Sequence, residues 1–159
     1  MPPEPDEDAE TFTENAVAKA LGYAQASGLP TIADDSGLEV TALRGAPGVR
    51  SRRYFGDEAT SAERNARLLA MIEGVADRRA RFVCVAVLGF PDGRSEAFEG
   101  EVRGTLATAP RGEHGFGYDP IFIVGDGPRT MAELTSAEKH AVSHRGRAGA
   151  LLRKRLETL

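Results

Sequence analysis

The chain has 159 residues, 41% of them hydrophobic, which is enough for one globular domain over 1–159 with a real core. Its net charge is only −4, from 24 acidic and 20 basic residues, so the surface is not one that coats a nucleic-acid polymer, and any anionic ligand has to be met by a local basic cluster. The lone cysteine, Cys84, excludes an intrachain disulfide, and no apolar stretch approaches the roughly 20 residues of a membrane helix; a reduced, cytoplasmic setting without a membrane is the default.

Residues 1–10 carry three prolines and five acidic side chains, a composition that predicts a poorly ordered start. Thr11-Phe12-Thr13-Glu14 has the spacing of a capping box, and Phe12, Ala16, Ala20 and Ala24, with Tyr23, form the apolar stripe of a helix ending near Gly28. After Pro30, Thr31-Ile32-Ala33 reads as a buried strand running out into a polar turn at Asp34-Asp35-Ser36-Gly37. Side chains alternate along a strand, so Asp34 and Asp35 point to opposite faces unless the backbone turns between them, and at most one aims into a cleft. Two readings stand side by side: a carboxylate held at a strand end to bind Mg²⁺, or a solvated Asx-type turn. Leu38–Leu43 fits either a short strand or a turn of helix, and Gly45-Ala46-Pro47-Gly48 is a loop.

A second capping box, Thr60 to Glu63, opens a helix whose Leu68, Leu69 and Ile72 share one side and which ends at Gly74. Phe82–Phe90 is apolar nearly throughout and is the most strand-like segment; Pro91-Asp92-Gly93 turns it into a second strand from about Ser95 to Thr108. Ile121–Val124 is a further short strand, and helical patterns follow from about Ser136 and from Arg145. Helices mixed with a hairpin and isolated strands define the α/β class, with a mixed central sheet flanked by helices.

Two further stretches hold residues that a fold alone does not require. In His114-Gly115-Phe116-Gly117-Tyr118-Asp119-Pro120, two glycines flank an aromatic ring and let the backbone approach a flat ligand; an aromatic-rich turn before a strand is the alternative. In Lys139 to Arg145, Lys139, Ser143 and Arg145 supply donors within two helical turns, suited to phosphates or to carbonyl oxygens on a base, or else to a solvated basic face. Only Lys19, Lys139 and Lys154 among the 20 basic residues are lysines, so a lysine where a phosphate fits carries some information.

Together these segments resemble the inosine triphosphate pyrophosphatase family, enzymes that hydrolyse non-canonical purine nucleoside triphosphates to the monophosphate and pyrophosphate. The resemblance rests on Thr11-Phe12-x-Glu14-Asn15-Ala16 with Lys19; Ala33-Asp34-Asp35-Ser36-Gly37-Leu38; Gly45-Ala46-Pro47-Gly48 with Ser51, Arg53 and Tyr54; Gly115 through Phe122; and Ala132 through Gly146. These matches occur in family order and span nearly the whole chain. The resemblance implies Asp35 as general base and metal ligand, Glu7 as a second Mg²⁺-binding carboxylate, and Ser36 touching substrate. It also implies Phe116, Gly117, Tyr118 and Asp119 around base and sugar, with Lys139, Lys19 and Arg53 on the nucleotide and His144 and Arg145 reading the base. A purine nucleoside triphosphate is then the substrate, Mg²⁺ the cofactor and a homodimer the assembly.

The family also carries an earlier strand and a Ser/Thr-x-Asn-x-x-Lys loop that this sequence does not contain. The expectation is therefore a domain incomplete at its N-terminus, with the phosphate grip weakened first. A nucleotide-binding relative or a remnant with little catalysis is the alternative function.

Overall fold

The structure, a computed structural model, describes residues 7–159; of the segment 1–10 expected to be poorly ordered, residues 1–6 lie outside the described residues, while Glu7 pairs with Lys19 and the Ala9 N–H with Asn15. Helix α1 (Phe12–Ser27) opens where Thr11 accepts a bond from the Glu14 N–H (3.1 Å) and ends at Gly28, whose left-handed backbone sends its N–H to the Ala24 carbonyl. Its buried face is the expected stripe of Phe12, Ala16, Ala20 and Ala24, joined by one polar residue, Asn15. Helix α2 (Ser61–Met71) begins with a complete capping box between Thr60 and Glu63, and α3 (Ser136–Val142) with another between Thr135 and Glu138. Helix α4 (His144–Leu156) follows directly.

Strands β1 (Thr31–Val40), β2 (Arg79–Gly89), β3 (Ser95–Leu106) and β4 (Phe122–Val124) form one sheet in the order β1-β2-β3-β4. The apolar run of β2 is buried from Phe82 to Gly89, as an interior strand covered on both faces demands. β3 and β4 pair antiparallel, with Leu106 opposite Phe122 and Gly104 opposite Val124. Along β1 and β2, Glu39 meets Arg81 while Asp34 meets Cys84, so these two strands also run in opposite directions. The α/β class holds, with a four-stranded antiparallel sheet and four α-helices among the described residues. The parallel component expected of a mixed sheet is not found among the described strands.

The turn expected at Asp34–Gly37 does not form. β1 continues unbroken to Val40, although Asp35 accepts from the Ser36 N–H (2.9 Å), the kind of local bond that favours turns. What holds the chain extended is the apolar end of the strand. Leu38 and Val40 are fully buried, the Leu38 N–H is taken by Ser51 Oγ (2.8 Å) and the Val40 N–H by the Ala46 carbonyl (3.0 Å). The ambiguity over residues 38–43 resolves as strand to Val40 and a single 3₁₀ turn, Thr41–Leu43.

The chain divides into two compact units, and β1, β2 and β3 each contribute residues to both. One comprises the residues up to Ser36 with Val83–Glu101 and His144–Leu159. Its core includes Cys84, Ala86, Leu88, Ala148 and Leu152. Here α4 lies directly on β3: a Cβ on Gly100 would sit 2.3 Å from the His144 carbonyl oxygen and 2.4 Å from the Ala148 nitrogen, so only glycine fits. The other comprises Gly37–Phe82 and Val102–Ser143, around a core that includes Leu38, Val40, Leu68, Ile72, Phe82 and Phe122. Phe82 and Phe122 pack with ring centroids 4.6 Å apart.

Candidate active site

In the first unit the alternation of β1 separates the two aspartates. Asp34 faces Cys84 on β2 and Arg145 on α4: its Oδ2 accepts from Arg145 Nε (3.2 Å) and lies 3.7 Å from Cys84 Sγ. Asp35 faces α1, where its Oδ2 accepts from Asn15 Nδ2 (3.0 Å). Asn15 is fully buried, and its Oδ1 accepts in turn from the Ala9 N–H (3.1 Å), which ties the segment entering α1 to Asp35. Glu7, at the start of that segment, forms an ion pair with Lys19, one turn beyond Asn15 on α1. Thus Glu7, Lys19 and Asp35 share one surroundings, and Ser36 follows with its N–H on Asp35 Oδ1.

Burial pushes the Asp35 carboxyl above its usual value, and the Glu7 charge adds to that; the Asn15 bond, Lys19 and the Ser36 N–H pull the other way. Desolvation wins. A half-buried carboxylate with a second carboxylate nearby and one lysine between them suits a hard cation, which takes oxygen ligands and completes its shell with water or phosphate oxygens. No group of three or more His, Cys, Asp and Glu side chains that could hold a metal ion occurs among the described residues.

Cys84, on the Asp34 face, is buried, and its thiol is pushed up to about 12, chiefly by burial and then by the Asp34 charge. It is a core residue, as its apolar run suggested. His144 is buried at the first position of α4, and Arg145 is half-exposed beside it.

The second unit holds the aromatic stretch. Asp119 is buried and binds two groups through Oδ2: the Phe116 N–H (3.0 Å) and Lys139 Nζ (2.6 Å). Lys139 Nζ also stands 4.5 Å from the centre of the Phe116 ring, a cation–π contact that fixes the ring from one face. Gly115 makes this possible. Its φ is +76°, and a Cβ there would fall 2.1 Å from Asp119 Oδ2. Phe116 is nonetheless 63% exposed, an unusual state for a ring whose neighbours are so firmly held. Tyr118 is buried, its hydroxyl donates to the Ser51 carbonyl (2.7 Å), and burial raises its phenol to about 12. Gly117 accepts from Asn65 Nδ2 (3.1 Å), and Arg53 lies exposed on the turn after Gly48–Arg50.

Lys139 and Arg145 do not share one helix, as donors within two helical turns would. Ser143 takes an extended backbone (φ −67°, ψ 155°) and ends α3, so Lys139 belongs to α3 and Arg145 to α4. Two supporting residues went unassigned from the sequence, Asn15 as the partner of Asp35 and Asn65 as the partner of Gly117. Each carried one signal: a polar residue in register with the apolar face of its helix, Asn15 with Phe12 and Ala16, Asn65 with Leu68 and Ile72.

The fold and these two clusters define a class, an α/β protein with paired carboxylates and a separately clamped aromatic ring. Solved structures share the architecture: a HAM1 protein from Coxiella burnetii superposes with a TM-score of 0.94 at 46% identity, over 99% of this chain and 82% of that one. A Ham1 family model matches residues 1–155, and the chain belongs to the Ham1 family. Among curated relatives, a dITP/XTP pyrophosphatase of Syntrophobacter fumaroxidans is 54% identical over 146 residues, covering 92% of this chain and 63% of that protein. One of the same name from Deinococcus deserti is 53% identical over 148 residues, covering 93% of this chain and 71% of that protein. The chain thus spans a little under two thirds of the first relative's length and a little over two thirds of the second's.

Proposed function

We propose that this protein is a nucleoside triphosphate pyrophosphatase that hydrolyses non-canonical purine nucleoside triphosphates (ITP, dITP, XTP) to the monophosphate and pyrophosphate, clearing them from the nucleotide pool. The observation that carries it is Asp35, a carboxylate whose proton affinity burial has raised and whose position Asn15 and the Ser36 N–H fix. A general base has to be oriented and has to hold a proton once it takes one; both features serve that end. Ser36, whose N–H bonds Asp35, is the residue proposed to touch substrate, and Lys19 sets a positive charge where phosphate oxygens would add negative charge.

Glu7 and Asp35 are the residues that would hold Mg²⁺, which when bound supplies charge neutralisation at the phosphates and a bound, acidified water. In the other cluster, Phe116 offers a stacking face, and Asp119 with Lys139 offers an acceptor and a donor for sugar or nucleotide. Arg53 adds a further cation. His144 and Arg145 supply donors suited to a 6-oxo group, whereas the 6-amino group of adenine would leave them unpaired. This reading also carries a single pyrophosphatase domain over 1–159, a homodimer and a cytoplasmic setting; no described helix is long and apolar enough to cross a membrane.

The test is pyrophosphate release with and without Mg²⁺. Inosine triphosphate is expected to exceed adenosine triphosphate in kcat/KM by at least about 10², and Arg145→Ala to shrink that gap. Equal slowing of both substrates would assign Arg145 to phosphates or structure instead.

A further inference from the structure

We propose that Asn65, on α2, is a positioning residue for nucleotide binding: it holds the Gly117 carbonyl and so presets the Phe116 ring. The proposal rests on the reading above, in which Phe116 to Asp119 hold base and sugar. Asn65 is 3% exposed and lies on the inward face of α2 with Leu68 and Ile72, a place where packing alone favours an apolar side chain. Its Nδ2 donates to Gly117 O (3.1 Å), 52 residues further along the chain. Its Oδ1 is buried with no hydrogen-bond partner. The reverse assignment of the amide would set two oxygens against each other, so the orientation is fixed by Gly117.

An unpaired buried acceptor is a standing cost to the fold, and one that a leucine of the same shape would remove. A fold that keeps asparagine there gains something other than stability. What it gains is local: the bond fixes the carbonyl of a glycine in the left-handed region (φ +60°), next to an aromatic ring left open to solvent. Asp119 already fixes the other side of Phe116 through its N–H and through Lys139. With Asn65 the loop is held on both sides of the ring. The ring is then immobilised before ligand arrives, and the entropy of ordering it is not charged to binding.

The experiment measures the dissociation constant of inosine triphosphate by calorimetry without divalent metal, with thermal melts and amide exchange at residues 115–119. The variants are Asn65→Leu, Asn65→Asp and Phe116→Ala. Asn65→Leu is expected to weaken binding about tenfold, the factor that one ordinary hydrogen bond represents, while its Tm stays level or rises and exchange at 115–119 accelerates. Asn65→Asp, which turns an acceptor toward the Gly117 carbonyl, is expected to weaken binding at least as much. Binding within twofold of wild type in both variants overturns the proposal. So does a lower Tm with unchanged exchange at 115–119, or failure of both to fold, since each marks Asn65 as a packing residue. Unchanged binding in Phe116→Ala sinks the reading of the loop itself, and the proposal with it; loss of binding in Phe116→Ala alone sinks only the role of Asn65.

Discussion

The two clusters of candidate site residues are built on opposite principles. Around Asp35 the opposing effects do not cancel: burial and the Glu7 charge raise the carboxyl, and Asn15, Lys19 and the Ser36 N–H only partly offset them. Around Phe116 the charges are matched. The Asp119 carboxylate has its ammonium, the ring has its cation, and the backbone on either side is tied. A group that must exchange a proton is useful when neither of its states is strongly preferred, whereas a group that must recognise a shape is useful when it cannot move. The first cluster is suited to chemistry and the second to recognition.

That contrast is sharpest in a pair of substitutions. Asp35→Asn keeps the shape and removes the proposed base, so turnover is expected to fall by roughly 10² or more while substrate affinity stays within a few-fold. Asp34→Asn, on the opposite face of β1, should cost much less, because Asp34 contacts Arg145 and Cys84 rather than the proposed base. Equal losses from the two would break the assignment. Asp35 also leaves a mark on stability in the metal-free protein. Its folded pKa is raised, so its contribution is fully present below the unfolded value near 3.8 and is lost as pH rises through the folded value. Melts across that acid range should show this decline in wild type and a flatter profile in Asp35→Asn.

Removing the lysines tests the matched cluster against the unmatched one. Lys139→Met strands the buried Asp119 carboxylate, and breaking a buried pair costs about 3–5 kcal/mol. At roughly 2–4 °C per kcal/mol for a chain of this size, Tm should drop by about 6 °C or more. Lys19→Met leaves Glu7, a third exposed, able to reach water, and its cost should stay under about 1 kcal/mol after allowance for screening. The comparison fails if the two variants melt alike.

Much of this was legible in the sequence because it is local. The capping box at Thr60, the α1 stripe, the β2 apolar run and the helix from Ser136 each depend on neighbours a few residues away, and each formed where expected. β1 was misjudged for the opposite reason. Asp-Asp-Ser-Gly has turn chemistry, but Ser51 and Ala46, on the loop that follows, capture the Leu38 and Val40 N–H groups and keep the strand straight. The same limit hid Asn15 and Asn65. Their faces were readable from helical period, but their partners, 20 and 52 residues away, were not. Asp35, Phe116 and Lys139 stand out as candidates in the local pattern, the resemblance supplies the roles expected of them, and the structure adds what holds them.

The smallest expected effect concerns Cys84, which shares the Asp34 face of the first unit. Burial and the adjacent carboxylate raise its thiol to about 12 against a usual value near 9, so the reactive thiolate should be about 10³-fold scarcer than in an exposed cysteine at the same pH. Alkylation by iodoacetamide at pH 8 is therefore expected to be at least about 10²-fold slower in the native protein than in the urea-unfolded chain. Asp34→Asn separates the two causes. Burial is the larger and survives the substitution, while the carboxylate's charge does not, so the variant should react only a few-fold faster than wild type. Reaction at the unfolded rate would mean that Cys84 is reached by solvent through local opening, and that the Asp34 face of β1 is the looser side of the unit.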